Sequence, residues 1–132
     1  MRIALDISSA ARPEATGVAM YIRRMLAAFA RAGQEDQFTL VRRASRLKNL
    51  LYKMPLPGPN FRHKAFLERC HPFLSRALDV FHGLDARLPG AWLRVPTVVT
   101  IHDVYSVLQS QEFATAEFRE LWAHLDVRFD DF

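Results

Sequence analysis

Five consecutive β-branched residues, Thr97–Ile101 in the stretch "VPTVVTIHDVYS", constrain this chain more than any other feature. Such side chains lose rotamer freedom in a helix and pack well on a pleated surface, so the run predicts a strand. Its character is continuous rather than alternating, which predicts a strand covered on both faces, as in a parallel sheet flanked by helices. The run stops at two titratable residues, His102 and Asp103. Titratable groups at the end of a buried strand need partners, so the pair is a candidate site. A plainer reading stays open, in which Asp103 caps a helix beside a histidine satisfied by backbone groups.

The rest of the chain repeats the architecture. "RIALDI", Arg2–Ile7, reads as a first strand, and "SSAARPEATG" follows as a loop of small residues ending at Gly17. From Val18 to Ala32 apolar residues recur at three- and four-residue steps (Val18, Tyr21, Ile22, Met25, Leu26, Phe29), which predicts an amphipathic helix stopped at Gly33. "QFTLVRR" is a second strand. "SRLKNLLYKM" predicts a short helix, broken by "PLPGPN". Phe61–Ala77 predicts a further helix, kinked or restarted at Pro72. "DVFHG" and "TVVTIHD" are third and fourth strands, and "AEFRELWAHL" is a helix with Phe118, Leu121, Trp122 and Leu125 on one face. Strands alternating with helices predict an α/β, Rossmann-like, mostly parallel sheet with helices on both faces. Right-handed crossovers then bring the strand ends to one edge, where such folds bind ligands. The Ser8–Gly17 loop, His82–Gly83 and His102–Asp103 would share that edge.

Taken singly, these groups are ambiguous. Gly17 either lets the chain turn into the helix or lets a phosphate approach its first N–H groups. The loop has neither the G-x-G-x-x-G pattern nor a P-loop lysine. His82 alone reads as a histidine at the edge of the core. The five histidines, His63, His71, His82, His102 and His124, show no metal-ligand spacing, so no metal is expected.

At 132 residues the chain has the size of one domain. No apolar run approaches the roughly 20 residues of a membrane span. Asp6 interrupts an N-terminal apolar run already too short for a secretory signal. The one cysteine, Cys70, fits a reducing compartment. The net charge of +4 conceals an asymmetry: no acid lies between Gln37 and Leu67, while seven follow from Asp103 onward. Arg42, Arg43, Arg46, Lys48 and Lys53 accompany Leu47, Leu50, Leu51 and Met54 in a basic amphipathic stretch. That stretch suits an anionic bilayer, or a solvated helix covering the sheet. No nucleic-acid motif accompanies the charge, so nucleic acid is not an expected partner.

In order and spacing, "MRIALDIS…TGVAMYIRRMLAAFA", "DVFHGLDARLP" and "VPTVVTIHDVYSV" resemble the N-terminal half of GT-B glycosyltransferases, specifically the retaining family 4, over most of residues 1–113. The resemblance implies two Rossmann-like domains, of which residues 1–132 would be an incomplete acceptor-side one. The donor-binding C-terminal domain would be absent from this chain and supplied in cis or in trans. It further implies transfer of a sugar from a nucleotide-sugar, as co-substrate rather than cofactor, to a glycan or lipid-linked acceptor. Thr16 and Gly17 would approach the donor diphosphate and acceptor, with Tyr21 following on the helix. His102 would sit at the sugar with Asp103 in support, and His82 and Gly83 would border the acceptor side. Ala19 stands where the family usually has a second glycine. The chain alone would then lack activity, and the expected location is cytoplasmic, with contact at the inner face of the membrane open. The other reading is a non-catalytic module that binds a membrane surface, a glycan or a partner subunit.

Overall fold

The computed structural model describes residues 1–10, 16–43, 54–66, 77–85 and 94–102. Among them are β1 (Arg2–Asp6), α1 (Gly17–Ala32), β2 (Gln37–Arg43), β3 (Phe61–Phe66), β4 (Val80–Gly83) and β5 (Thr97–Val99). The strands form an all-parallel sheet in the order β3-β2-β1-β4-β5, an α/β, Rossmann-like arrangement. From β1 the chain steps outward to β2 and β3, then returns to the other side of β1 for β4 and β5. The strand order therefore reverses between β1 and β4, and the carboxyl ends of these two strands flank a crevice.

Successive residues of a strand point to opposite faces. Ala4 and Leu5 are neighbours on β1 and both are 0% exposed, so the sheet is covered on both sides there. On one side α1 packs Ala19, Ile22 and Leu26 against Leu5, Ile7, Phe38 and Leu40. On the other, Ala4, Val41 and Phe81 form a second cluster with Leu78.

The ends of α1 follow its sequence. Thr16 is the N-cap, its hydroxyl oxygen accepting from the Ala19 N–H at 3.2 Å. Gly33 closes the helix by donating its N–H to the Phe29 carbonyl at 2.8 Å. A side chain at Gly33 would place Cβ 2.8 Å from Phe38 Cζ, so the close approach of that ring requires a glycine. Phe38 in turn stacks on Phe29 and on Phe61, with centroids 5.5 and 4.6 Å apart.

Three expectations need correction. Phe61–Phe66 is a strand rather than the start of a helix: it pairs in parallel with Phe38–Arg43 residue for residue. The Phe61 ring anchors it against Phe38, and Arg62 donates through Nε to Thr39 Oγ1 at 3.0 Å on the opposite face. Second, β5 ends at Val99, and it is not buried on both faces. It is the outermost described strand beyond β4, and Val98 is 51% exposed. Third, Arg42 and Arg43, expected to help present a basic surface to an anionic bilayer, are the last two residues of β2 and are buried, 5% and 7% exposed. For Arg43 the cause is Asp6, which accepts from its Nε at 2.9 Å. Arg46, Lys48, Lys53 and Asp103, and the helices expected near residues 45–54 and 116–125, lie outside the described residues but for Met54, which is buried.

Candidate functional site

The carboxyl edge of the sheet is organised by hydrogen bonds that the strand ends make to one another. After β1, Ile7 N–H donates to Val41 O at 3.0 Å and Ala10 N–H to Ile7 O at 2.9 Å, which turns the chain out of the sheet. Asp6 fixes the base of this turn. Its Oδ1 accepts from the Ser8 N–H at 2.9 Å and from Ser8 Oγ at 2.5 Å, while Oδ2 takes the Arg43 guanidinium. Ser9 Oγ then donates to the Asp85 carboxylate, joining the loop after β1 to the loop after β4 across the crevice.

On the far side of the crevice, two histidines take different positions. His82 lies within β4, its ring 6.4 Å from Phe29 of α1 and its Nε2 3.0 Å from Thr100 Oγ1. Burial lowers its pKa from the ordinary 6.5, because a charged ring would lose hydration there. His82 is thus a half-buried histidine at the edge of the core. His102, beyond β5, is exposed, and its Nε2 lies 2.9 Å from the Leu84 carbonyl. A carbonyl only accepts, so Nε2 carries the proton and Nδ1 of the neutral ring keeps its lone pair. Tyr21 of α1 meets the His102 ring edge-on, at 4.9 Å and 83°.

Tyr21 also lines an open groove of about 490 Å³ with Gly17, Met20, Arg24 and Met25. That volume falls within the roughly 300–1,000 Å³ of small-molecule sites. A Cβ added at Gly17 would meet no atom within 4 Å. Neither packing nor a left-handed backbone requires a glycine at that position, and its bare backbone faces the open side. The first N–H groups of a helix have no intrahelical acceptor. Thr16 takes that of Ala19, at the third helical position.

Gly17, Tyr21 and His102 are therefore brought together, with Thr16 capping the same helix end. His82 and Gly83 are not part of this group: His82 faces Phe29 and Thr100 from within β4, and Gly83 is buried. Asp103 lies outside the described residues. The sequence reading missed Met20, Arg24 and Met25, which complete the groove. The available signal was an Arg three residues after Tyr21, on a helix without an acidic residue. A second groove, about 320 Å³, lies between Arg23, Leu26 and Ala27 of α1 and Met54, Pro55 and Pro57. Among the described residues no three His, Cys, Asp or Glu side chains are grouped to hold a metal ion, and no helix is long and apolar enough to cross a membrane.

No family model, no curated protein and no solved structure matches the chain.

Proposed function

We propose that the chain forms the acceptor-side domain of a retaining glycosyltransferase, which transfers a sugar from a nucleotide-sugar to a glycan or lipid-linked acceptor. The observation that carries this reading is the Tyr21–His102 contact beside the open backbone of Gly17, at the edge where a parallel sheet reverses its strand order. In this reading the N-terminus of α1 turns its dipole toward the place where the donor diphosphate and the acceptor meet. His102, held through Leu84, meets a hydroxyl of the sugar. The groups that stabilise the departing nucleotide, the largest electrostatic contribution in such chemistry, belong to a second domain in cis or in trans.

A rival reading is a binding module without chemistry. The described makeup of the groove favours it, since two methionines, a tyrosine and an arginine offer contact and charge, and among the described lining residues there is no carboxylate for acid–base work.

The test uses the native protein purified from its source cells, with any associated subunit. It is incubated with a panel of labelled nucleotide-sugars and a lipid and glycan extract. Transfer with retained anomeric configuration, cut about tenfold or more by His102→Ala, is the expected result. Absence of transfer from every donor leaves the binding module. Transfer unaffected by His102→Ala removes His102 from the site. Residues 1–132 alone should transfer no sugar.

A further inference from the structure

The composition of the groove at the start of α1 selects among acceptors. We infer that it seats one molecule of an anionic amphiphile, an apolar chain ending in a phosphate, so that within the transferase reading, on which this rests, the acceptor is lipid-linked rather than a soluble glycan. Sugar hydroxyls both donate and accept, and sites for them need carboxylates, amides or hydroxyls as partners. Among the described residues, the side chains lining this groove supply one such group, the Tyr21 hydroxyl. The remaining described side chains of the wall are apolar or cationic. Met20 is 41% exposed, and Met20 and Met25 present flexible, polarisable surface that adapts to a hydrocarbon chain.

Arg24 supplies the complementary charge. It is exposed, and no ion pair ties it to another described residue. The helix carries Arg23, Arg24 and Arg31 with no acid in its sequence, so no carboxylate on α1 competes for the guanidinium. A guanidinium fork matches phosphate oxygens in two parallel hydrogen bonds. The positive end of α1, at Gly17, lies in the same groove and reinforces the preference for an anion. Two methionines, the Arg24 guanidinium and the helix N-terminus thus share one volume. A single amphiphile spans all three, whereas inorganic phosphate uses only the last two and a neutral sugar none of them well.

The test is calorimetric titration of the full chain with dodecyl phosphate, kept below its aggregation concentration. Inorganic phosphate, maltotriose and phosphatidylglycerol vesicles are titrated in parallel. Saturable binding of one dodecyl phosphate per chain is expected, weakened about tenfold or more by Arg24→Gln and about threefold or more by Met20→Ser. Both residues are exposed, and unchanged urea midpoints confirm that the variants fold. Arg31→Gln, two turns further along the same helix, should leave the affinity unchanged. An equal loss with Arg31→Gln would overturn the inference by reducing it to diffuse charge. Binding to vesicles without binding of the monomeric phosphate would overturn it in favour of a bilayer surface. Maltotriose binding in its place would overturn the acceptor class while leaving the transferase reading intact. Dodecyl phosphate binding in a protein that transfers no sugar supports the groove and removes the transferase reading instead.

Discussion

Arg43, the last residue of β2, donates through Nε to the carboxylate of Asp6, the last residue of β1, at 2.9 Å, with both side chains buried. The Ser8 hydroxyl donates to the same carboxylate and accepts the Arg43 N–H at 3.0 Å, so the pair is also the anchor of the turn after β1. Breaking a buried pair leaves one charge without a partner. Arg43→Met should therefore destabilise the fold by about 3–5 kcal/mol. Asp6→Asn combined with Arg43→Met should cost less than the sum of the two single changes, because the orphaned charge is gone. Urea unfolding of the three variants measures both effects, and additive losses would show that the two groups do not interact.

Gly33 is predicted to tolerate no side chain. Its Cβ would stand 2.8 Å from Phe38 Cζ, in the middle of the Phe29–Phe38–Phe61 stack. Gly33→Ala should cost about 1–3 kcal/mol through displacement of that ring, despite the better helix propensity of alanine. A thermal midpoint equal to or above that of the wild type would contradict it.

His82 should make stability depend on pH in the mildly acidic range. Its folded pKa is lowered by burial from the ordinary 6.5 of the unfolded chain. Below 6.5 the unfolded state therefore binds a proton before the folded state does. Stability contributed by the neutral ring is complete above that value and declines as pH falls toward the lowered folded pKa. His82→Gln should flatten this part of the profile when urea midpoints are compared at pH 7.5 and 5.5. An undiminished slope in the variant would place its cause elsewhere.

Asp79 should keep its charge to lower pH than an ordinary aspartate. Hydrogen bonds from the Arg2 side chain and backbone N–H lower its pKa from 3.8 to about 2. Carbon-detected NMR titration should show this low value in the wild type. In Arg2→Ala the side-chain contribution disappears and the pKa should move back toward 3.8, while the backbone N–H still holds part of the shift. Asp79 lies at the surface, so the readout is its titration rather than global stability.

Much of this architecture was legible because local pattern and tertiary role agree. β2 coincides with "QFTLVRR", α1 with the run from Val18 plus one residue, and β1 and β4 with their predicted strands less one residue each. β3 was misread because "FRHKAF" has two basic residues in six and owes its conformation to Phe38 and Thr39, residues distant in sequence. The same distance explains the arginines. Two cations ending an apolar strand resemble a surface, and only the topology brings Arg43 beside the Asp6 that ends β1. In that sense Asp6 was the overlooked clue, since an acid within a buried strand requires a cation nearby. The burial of β5 was overestimated for a different reason. β-branching reports conformation, whereas burial depends on a strand's place in the sheet, and no local pattern reveals that place. The candidate site was partly legible: the strand ends were expected at one edge, and Tyr21 and His102 do meet there. Arg24 and Met20 were not, because a helix face exposed beside a groove reads like any other exposed helix face, and Met25 read only as part of the apolar stripe.

The group that orients His102 is the carbonyl of Leu84, a main-chain atom. Every amino acid carries that carbonyl, so no single substitution at position 84 can delete the acceptor. Position 84 can therefore change among side chains that fill the same core space while the imidazole keeps its tether. Ring orientation is inherited from the path of the backbone, not from the identity of a side chain.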